Sequence, residues 1–280
     1  MSHAERFLLA GLMGWPVMHS RSPILHNYWL SKYGLSGSYL PLAIEPKGLS
    51  AALRALPALG FSGCNLTIPH KEAALALVDH VDPLARKIGA INCVIVRKDG
   101  SLEGRNTDGW GYIESIRETF PQWRADQGPI VILGAGGAAR AILANLIDQG
   151  AKEIRLINRS QDRALALAQE FGPIIQVQDW QMRQEALAGA ALLINTTSQG
   201  MQGQPALDLG LDLLPASALV SDIVYIPRLT PLLIAAQLRG NAIVPGLGML
   251  LHQARPSFEA WFGILPDVTP DLRARIEATL

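Results

Sequence analysis

The chain has 280 residues, of which 49% are hydrophobic and 17% are charged, and its 24 basic and 24 acidic side chains give a formal net charge of zero. This length predicts about two domains, and the balanced charge argues against a nucleic acid or an anionic membrane surface as partner. The apolar runs stop short of the ~20 residues that a membrane helix needs, two cysteines are too few for a disulfide scaffold, and the histidines form no metal-binding motif. We therefore expect a cytoplasmic protein that binds a small molecule and no metal.

Short apolar runs bounded by turn residues alternate with helical patterns along the first part of the chain. These runs predict strands at about 7–12, 38–44, 61–66 and 91–97. From residue 130 the alternation becomes regular, with the runs IVIL, IRLI, ALLI, LVSDIV and AIV separated by helical segments. The pattern predicts an α/β protein whose second half is a doubly wound parallel sheet. Polar residues and two prolines at 120–129 predict the break between the halves.

The segment NLTIPHKEAAL, residues 65–75, places a proline and a lysine where a strand gives way to a helix. Pro69 suits the first helical position, so Lys71 is predicted to lie in the first turn. At helical spacing Lys71 shares a stripe with Leu75 and Val78, which would direct its ammonium group inward. The alternative is a lysine whose stem covers apolar surface while its charge stays in solvent.

A second polar segment, GRNTDGWGY, places Asn106, Thr107 and Asp108 directly before a helical pattern. From this segment alone Asp108 is better explained as a helix N-cap, because caps of this kind are common. A catalytic role would require a partner elsewhere in the chain.

A glycine-rich loop, VILGAGGAARAI, runs from a buried strand into a helix. Glycines in this context permit a tight turn and the close approach of a pyrophosphate, whose charge is met by the N–H groups at the helix start. The flanking strand and helix distinguish a dinucleotide site from a merely structural turn. The predicted cofactor loop consists of Gly134, Ala135, Gly136, Gly137 and Ala138.

The next strand, EIRLIN, ends at Asn158, where an NAD-binding protein usually carries an acid for the ribose 2′-hydroxyl. The following letters, NRSQDR, supply Arg159, Ser160 and Arg163 instead. Paired guanidinium groups suit a dianionic 2′-phosphate, so the predicted cofactor is NADP. The alternative is that both arginines are solvated surface charge.

Taken in chain order, these segments resemble the shikimate dehydrogenase family over nearly the whole chain. GWPVMHSRSPILHN is similar to the family's loop for the substrate carboxylate, GCNLTIPHKEAAL to its lysine motif and GRNTDGWG to its aspartate motif. LGAGGAARAI and NRSQDRA are similar to its NADP-binding elements, and INTTSQGM, DIVYIPRLTPLL and GLGMLLHQA to its later motifs. The resemblance implies a substrate-binding domain over residues 1–107, a Rossmann-type NADP-binding domain over 108–245, and a helical segment over 246–280 that packs back on the first domain.

The resemblance also implies an activity, the reversible NADPH-dependent reduction of 3-dehydroshikimate to shikimate on the pathway to chorismate and the aromatic amino acids. In that reaction NADPH delivers hydride to the C3 carbonyl, while Lys71 and Asp108, meeting as a catalytic pair, manage the proton on the developing alkoxide. The implied partner is a small-molecule substrate, and the chain would act as a monomer or homodimer.

Further site residues are implied by matched position alone. Two serines would bind the substrate carboxylate, amides and a hydroxyl would bind the ring hydroxyls, and a tyrosine would close the pocket. This substrate group consists of Ser20, Ser22, Asn65, Thr67, Asn92, Tyr225 and Gln253. The cofactor group extends beyond the glycine loop and the arginines to Thr196, Ser198, Gly246 and Met249.

Two other functions stay open at this point. Quinate dehydrogenase is the nearer one, since quinate adds a single hydroxyl at the carbon that bears the carboxylate, although Ser22 and Arg159 fit shikimate and NADP better. The other is a non-catalytic NADP-binding sensor on the same fold, against which the retention of Lys71 and Asp108 argues.

The sequence departs from the family pattern at three positions. Cys93 stands where the family often has threonine, and Ile226 replaces a common polar residue. Pro256 is expected to end or kink the returning helix just past Gln253, because proline removes a helical hydrogen bond.

Overall fold

The computed structural model describes residues 7–280 and divides into two compact units. The first unit contains the described residues up to Thr107 together with Gln253–Thr279, and the second contains Asp108–His252 with the terminal Leu280. The polar stretch 120–129 therefore lies inside the second unit and does not mark the division. Residues 246–252 group with the second unit, and the domain bounds given by the resemblance stay a prediction.

The first unit is built on a mixed sheet of six strands. Its elements are β1 (Leu8–Gly14), α1 (Ser22–Lys32), β2 (Gly37–Ala43), α2 (Leu49–Ala55), β3 (Phe61–Leu66), α3 (His70–Ala73), β4 (His80–Val81), α4 (Pro83–Ile88), β5 (Cys93–Val96), β6 (Leu102–Arg105), α10 (Ala254–Phe262) and α11 (Pro270–Glu277). The strand order is β2-β1-β3-β5-β6-β4. The pairs β1/β2, β1/β3 and β4/β6 are parallel, whereas β5 is antiparallel to both β3 and β6.

The second unit is built on a parallel sheet of six strands. Its elements are α5 (Asp108–Thr119), β7 (Ile130–Leu133), α6 (Gly137–Asp148), β8 (Ile154–Ile157), α7 (Gln161–Phe171), β9 (Ile175–Gln178), β10 (Leu192–Asn195), β11 (Leu219–Asp222), α8 (Pro231–Leu238), β12 (Ala242–Pro245) and α9 (Leu247–His252). The strand order is β12-β11-β10-β7-β8-β9. The chain moves outward from β7 in one direction and from β10 in the other, which confirms the doubly wound, Rossmann-type arrangement.

Three strands have no counterpart among the apolar runs of the sequence: β4, β6 and β9. The strand β6 reads LEGR, which carries too few apolar residues to be recognised by periodicity, whereas β9 reads IQVQ, an apolar/polar alternation of only four residues that contains no apolar run. They form because their backbones pair with stronger neighbouring strands.

The returning helix is interrupted at Gln253, since α9 ends at His252 and α10 begins at Ala254. Pro256 lies in the first turn of α10, where a missing N–H costs no helical hydrogen bond. The interruption therefore precedes Pro256, whereas the sequence alone predicts it just past Gln253. None of the helices within residues 7–280 is long and apolar enough to span a bilayer.

An aromatic cluster joins α1 and α10 to the sheet of the first unit. The His26 ring stacks on Tyr39 with a centroid distance of 4.1 Å and an angle of 6°, and Trp29, Phe258 and Trp261 surround it. The Trp261 indole donates a hydrogen bond of 2.9 Å to the Val94 carbonyl. Residues near the end of the chain thus complete the core of the first unit.

We expect Gly63→Ala to destabilise the first unit by about 1–3 kcal/mol, the usual cost of overpacking. Gly63 has φ +156°, and a Cβ at this position would collide with the Val94 carbonyl and the Trp261 indole nitrogen. Urea denaturation would measure the loss. Gly48→Ala is the matched control, because its nearest neighbour is Ile44 Cγ2 at 3.8 Å. Equal stability of the two variants would contradict the prediction.

We also expect acidification to lower the stability of the first unit, and His26 to be the cause. Burial lowers the pKa of His26 from 6.5 to about 3, and the nearby Asn65 side chain offsets only part of that shift. His26 of the unfolded chain is therefore protonated below about pH 6.5, whereas His26 of the folded chain is protonated only below about pH 3. Between these two values the free energy of unfolding falls by about 1.4 kcal/mol for each pH unit of acidification.

The measurement is urea denaturation at about pH 8 and at about pH 5. Through His26 alone, the free energy of unfolding should be about 2 kcal/mol lower at about pH 5. His26→Phe keeps an aromatic ring on Tyr39 and removes the titration, so its loss between the two conditions should be about 2 kcal/mol smaller. The same loss in both proteins would show that His26 is not responsible.

Candidate active site

Four polar segments of the first unit meet at one edge of its sheet. The strands β1, β3 and β6 run in the same direction and end at this edge, and the antiparallel β5 begins there. The end of β3 and the segments that adjoin these strand ends contain six of the predicted residues. They are Ser20, Ser22, Asn65, Thr67, Lys71 and Asn92.

The two serines lie together at the start of α1. The Ser20 and Ser22 hydroxyl oxygens are 3.3 Å apart, and the Ser22 N–H donates to Ser20 Oγ at 3.2 Å. Arg21, between them, donates to the backbone carbonyls of His19 and Thr279. A carboxylate at this point would therefore meet two adjacent hydroxyl groups. The same short-range bonding is typical of a serine turn, the alternative for this motif.

The Asn65 side chain is engaged inside the protein. Its Nδ2 donates to the Asn92 carbonyl and to Ser257 Oγ, both at 3.0 Å, and its Oδ1 accepts the Tyr39 hydroxyl at 2.8 Å. Both amide hydrogens are thus used, which leaves only acceptor capacity on Oδ1 for a ligand. Asn65 is placed to hold Asn92 and Tyr39.

A second polar network centres on Asn92, which is 2% exposed. Asn92 Oδ1 accepts the Thr107 N–H at 2.8 Å, and its Nδ2 lies 3.0 Å from Thr107 Oγ1 and 3.4 Å from Gln253 Oε1. The Thr107 hydroxyl donates to the Gln253 carbonyl at 2.8 Å. The structure thus brings together Asn92 and Gln253, which are distant in sequence, through a threonine that the site prediction omits.

Lys71 lies in α3, which is only four residues long and continues as a 3-10 turn over Ala74–Ala76. The predicted stripe of Lys71, Leu75 and Val78 is therefore wrong, because the backbone leaves the α-helical path before Leu75. Lys71 is half-buried, and its carbonyl accepts the Ile91 N–H at 2.9 Å. This bond places Lys71 beside the segment that contains Asn92.

Asp108 directly follows Thr107 and is the first residue of α5, one position past the cap position. It is 8% exposed. Its helix is fixed by close packing within the second unit, where Gly109 leaves no room for a Cβ beside Ala141 and Asn145 of α6. Gly248 of α9 likewise packs against Ser115 of α5.

The predicted cofactor loop follows β7 at the carboxyl edge of the second sheet. Gly134 has φ +106°, and a Cβ there would collide with the Thr196 hydroxyl. Gly136 and Gly137 are exposed, with open space where a Cβ would stand, and α6 begins without a side-chain cap. The first N–H groups of α6 therefore face an open surface, as a bound pyrophosphate requires.

The residues expected at the adenosine end follow the neighbouring strand β8. Asn158 donates to the Ser160 carbonyl at 2.8 Å, and no acid occupies its position. Arg159 and Arg163 are exposed, and neither forms an ion pair with any residue in the described range 7–280. These residues fit the 2′-phosphate of NADP and lack the acid that NAD favours.

The other predicted cofactor residues follow β10 and β12, and the predicted substrate residue Tyr225 follows β11. Thr196 follows β10 and donates through its hydroxyl to the Leu133 carbonyl at 2.7 Å, which ties its loop to the glycine loop. Ser198 is exposed in the same loop, and Tyr225 is half-buried after β11. Gly246 follows β12, packed on the backbone of Ile223, and Met249 is half-buried on α9.

A buried carboxylate, Asp222, lies at the end of β11 and was not predicted. It accepts hydrogen bonds from Asn195 Nδ2 at 3.1 Å, the Val224 N–H at 3.0 Å and Thr230 Oγ1 at 2.7 Å. Burial raises the pKa of Asp222, and these three bonds oppose the rise. The signal available in sequence is an acid inside the apolar run LVSDIV. Within residues 7–280 no cluster of three or more potential ligands is arranged to hold a metal ion.

Family models match most of the chain. They are the shikimate dehydrogenase substrate binding domain over residues 12–94, the shikimate / quinate 5-dehydrogenase model over residues 115–202 and the shikimate 5'-dehydrogenase C-terminal domain over residues 246–274. The matches follow the order of the two units and the returning segment.

Individual proteins agree with these matches. The shikimate dehydrogenase (NADP(+)) of Paramagnetospirillum magneticum is 58% identical over 266 residues, which cover 95% of this chain and 96% of that protein. Shikimate 5-dehydrogenase from Thermus thermophilus, solved in complex with NADP(H) and shikimate, has a TM-score of 0.87 at 37% identity and covers 98% of this chain and 100% of its own. Quinate dehydrogenase from Corynebacterium glutamicum in complex with NAD has a TM-score of 0.88 at 30% identity, with 98% of each chain covered. The chain therefore belongs to the shikimate dehydrogenase family.

Proposed function

We propose that the chain catalyses the reversible NADPH-dependent reduction of 3-dehydroshikimate to shikimate. The observation that carries the proposal is the edge of the first sheet, where the neutral network of Asn92, Thr107 and Gln253 lies beside the Lys71 segment and runs directly into Asp108. Neutral amides and hydroxyls suit a ring that carries several hydroxyl groups. The proposed second contact is the Ser20 and Ser22 pair, which offers two hydroxyl donors to the substrate carboxylate.

Lys71 and Asp108 are the proposed acid-base residues. During reduction the carbonyl oxygen becomes an alkoxide, and an ammonium group near it both stabilises the charge and donates the proton. Asp108 would hold Lys71 in the orientation for this transfer. In the oxidation direction the same two residues take up the proton from the substrate hydroxyl.

The second unit supplies the binding groups for NADP. When bound, NADPH provides the hydride, and the protein has to hold and orient it. The open N-terminus of α6 would bind the pyrophosphate, and Arg159 and Arg163 would bind the 2′-phosphate. Thr196, Ser198, Gly246 and Met249 are proposed to line the nicotinamide end.

Quinate dehydrogenase activity is the second candidate, since a quinate dehydrogenase shares the fold. Two observations favour shikimate and NADP over it: the adjacent serines Ser20 and Ser22 fit the shikimate-preferring pattern, and Asn158 provides no carboxylate for an NAD ribose. We propose a cytoplasmic enzyme because both cysteines, Cys64 and Cys93, are free and buried, as expected in a reducing compartment. The resemblance to the family adds the proposal of a monomer or homodimer.

The test of the activity is the reduction of NADP⁺ by the purified protein, followed by NADPH absorbance, with shikimate and with quinate as substrates. Each substrate is repeated with NAD⁺. Turnover mainly with shikimate and NADP⁺ is the expected result. Stronger turnover with quinate would favour the second candidate, and binding of NADP⁺ without any turnover would favour a sensor.

Lys71→Ala is expected to lower kcat by about 10² or more, the usual loss when general acid-base help is removed. The affinity for NADPH should change little, because the proposed cofactor groups lie on the second unit. Steady-state kinetics and fluorescence titration with NADPH measure the two effects. Lys98→Ala, on the exposed turn between β5 and β6, is the matched control. Unchanged turnover of Lys71→Ala would rule out the assignment.

Arg159→Ala is expected to weaken NADP⁺ binding by about tenfold, the loss of a charge-assisted hydrogen bond at an exposed site. Binding of NAD⁺, which lacks the 2′-phosphate, should stay the same. Calorimetric titration with each cofactor measures the difference. The control is Arg124→Ala, since Arg124 is 70% exposed and pairs with Asp126. Equal losses for the two cofactors would contradict a 2′-phosphate site at Arg159.

A further inference from the structure

Asp222 is a buried carboxyl group that the proposed chemistry does not use. It is 1% exposed and forms no ion pair with any residue between 7 and 280. Its three hydrogen-bond donors come from three different segments: Asn195 at the end of β10, Val224 after β11 and Thr230 at the start of α8. An ionised carboxylate is an acceptor only, so it can satisfy all three donors at once.

Asn195 connects Asp222 to the loop after β10. Its Oδ1 accepts the Thr197 N–H at 3.0 Å and the Thr197 hydroxyl at 2.7 Å, and its Nδ2 also donates to the Gln199 carbonyl at 3.1 Å. The Thr197 hydroxyl oxygen in turn accepts the Gln199 N–H at 3.1 Å. This loop carries Thr196 and Ser198, the proposed cofactor residues.

The other two donors fix the loop after β11 at both of its ends. Val224 directly precedes Tyr225, and the neighbouring carbonyls of Ile223 and Val224 lie against Gly246. Thr230 closes the loop, because its hydroxyl oxygen also accepts the Leu233 N–H at 3.4 Å and so caps α8. The loop that carries Tyr225 is therefore held by Asp222 from its first residues to its last.

We propose that Asp222 is a positioning residue that fixes the loop of Thr196 and Ser198 and the loop of Tyr225 against each other. It acts through these loops and touches neither substrate nor cofactor. This inference rests on the proposed function, since it assigns the two loops to the nicotinamide end of NADP and to the substrate ring. A buried polar residue of purely structural use would stabilise the sheet without ordering the loops.

The neighbouring residue Ser221 separates these two roles. Ser221 is equally buried on the same strand, and its hydroxyl donates at 3.3 Å to the Val244 carbonyl of β12, inside the sheet. Ser221→Ala therefore removes a buried hydrogen bond beside Asp222 while leaving the bonds to both loops intact. Asp222→Ala removes all three loop bonds, and Thr230→Val removes one of them while retaining the carboxylate.

The first readout is hydrogen exchange of the full-length protein without ligands. Asp222→Ala should make the amides of Thr197, Gln199 and Val224 exchange about tenfold faster or more, as expected when local opening becomes easier. Thr230→Val should speed the exchange of Val224, because the far end of its loop is released from Asp222, and of Leu233, whose N–H loses its acceptor, while Thr197 and Gln199 stay unchanged. Ser221→Ala should leave all of these amides unchanged. Thr230→Val, which retains the carboxylate, provides the test if Asp222→Ala fails to fold.

The second readout is function. Asp222→Ala should lower kcat/KM for shikimate by about tenfold or more, because small misplacement of binding groups is costly. Calorimetric binding of NADP⁺ should weaken by less than about threefold, since the pyrophosphate and 2′-phosphate sites are retained. Thr230→Val should likewise lower kcat/KM more than it weakens NADP⁺ binding, with smaller changes in both. Ser221→Ala should match the parent protein in both quantities.

Two results would overturn the proposal. One is unchanged exchange in both loops of Asp222→Ala or Thr230→Val, and the other is a folded Asp222→Ala protein with the kcat/KM of the parent. Absence of shikimate turnover in the parent would instead refute the proposed function, and the exchange measurement would still decide whether Asp222 fixes the loops.

Discussion

The hydrogen bonds of Asn92 impose the constraint on which the proposed substrate site depends. This one amide reaches the residue at which the chain leaves the first unit, Thr107, and the residue at which it returns, Gln253. Because the Thr107 hydroxyl also donates to the Gln253 carbonyl, the two passages of the chain are fixed side by side. The amide hydrogens of the buried Asn65 and Asn92 are all engaged, as donors removed from water must be. A loss of any member would leave a polar group of its neighbours unsatisfied.

The sequence alone predicts the parts of the molecule whose structure is determined locally. The glycine loop, its flanking strand and helix, and the arginines after β8 are all contained in short continuous segments, and the α/β fold follows from regular alternation. The lysine motif shows where this approach fails. Lys71 is predicted on a regular helix, but its helix ends after four residues because the chain turns towards β4.

Interactions between distant segments are what the sequence does not reveal. Asn65 has the residue type of a substrate ligand, yet both its amide hydrogens bond to Asn92 and Ser257, and Ser257 is 192 positions away. The three donors of Asp222 come from segments that periodicity treats separately. The strand β6 forms through pairing with β5 rather than through its own composition. Each of these features depends on which residues are close in space, and a single sequence contains no direct measure of that.

The place of α10 in the first unit has a consequence for synthesis. Trp261 and Phe258 fill the aromatic core around His26, although more than a hundred residues of the second unit separate them from β6. Protein chains emerge from the ribosome in order, and domains generally fold as units. The second unit is continuous apart from Leu280, whereas the core of the first unit stays incomplete until α10 has been synthesised, after the whole of Asp108–His252. The sheet of the first unit is thus exposed to non-native contacts during the synthesis of the entire second unit.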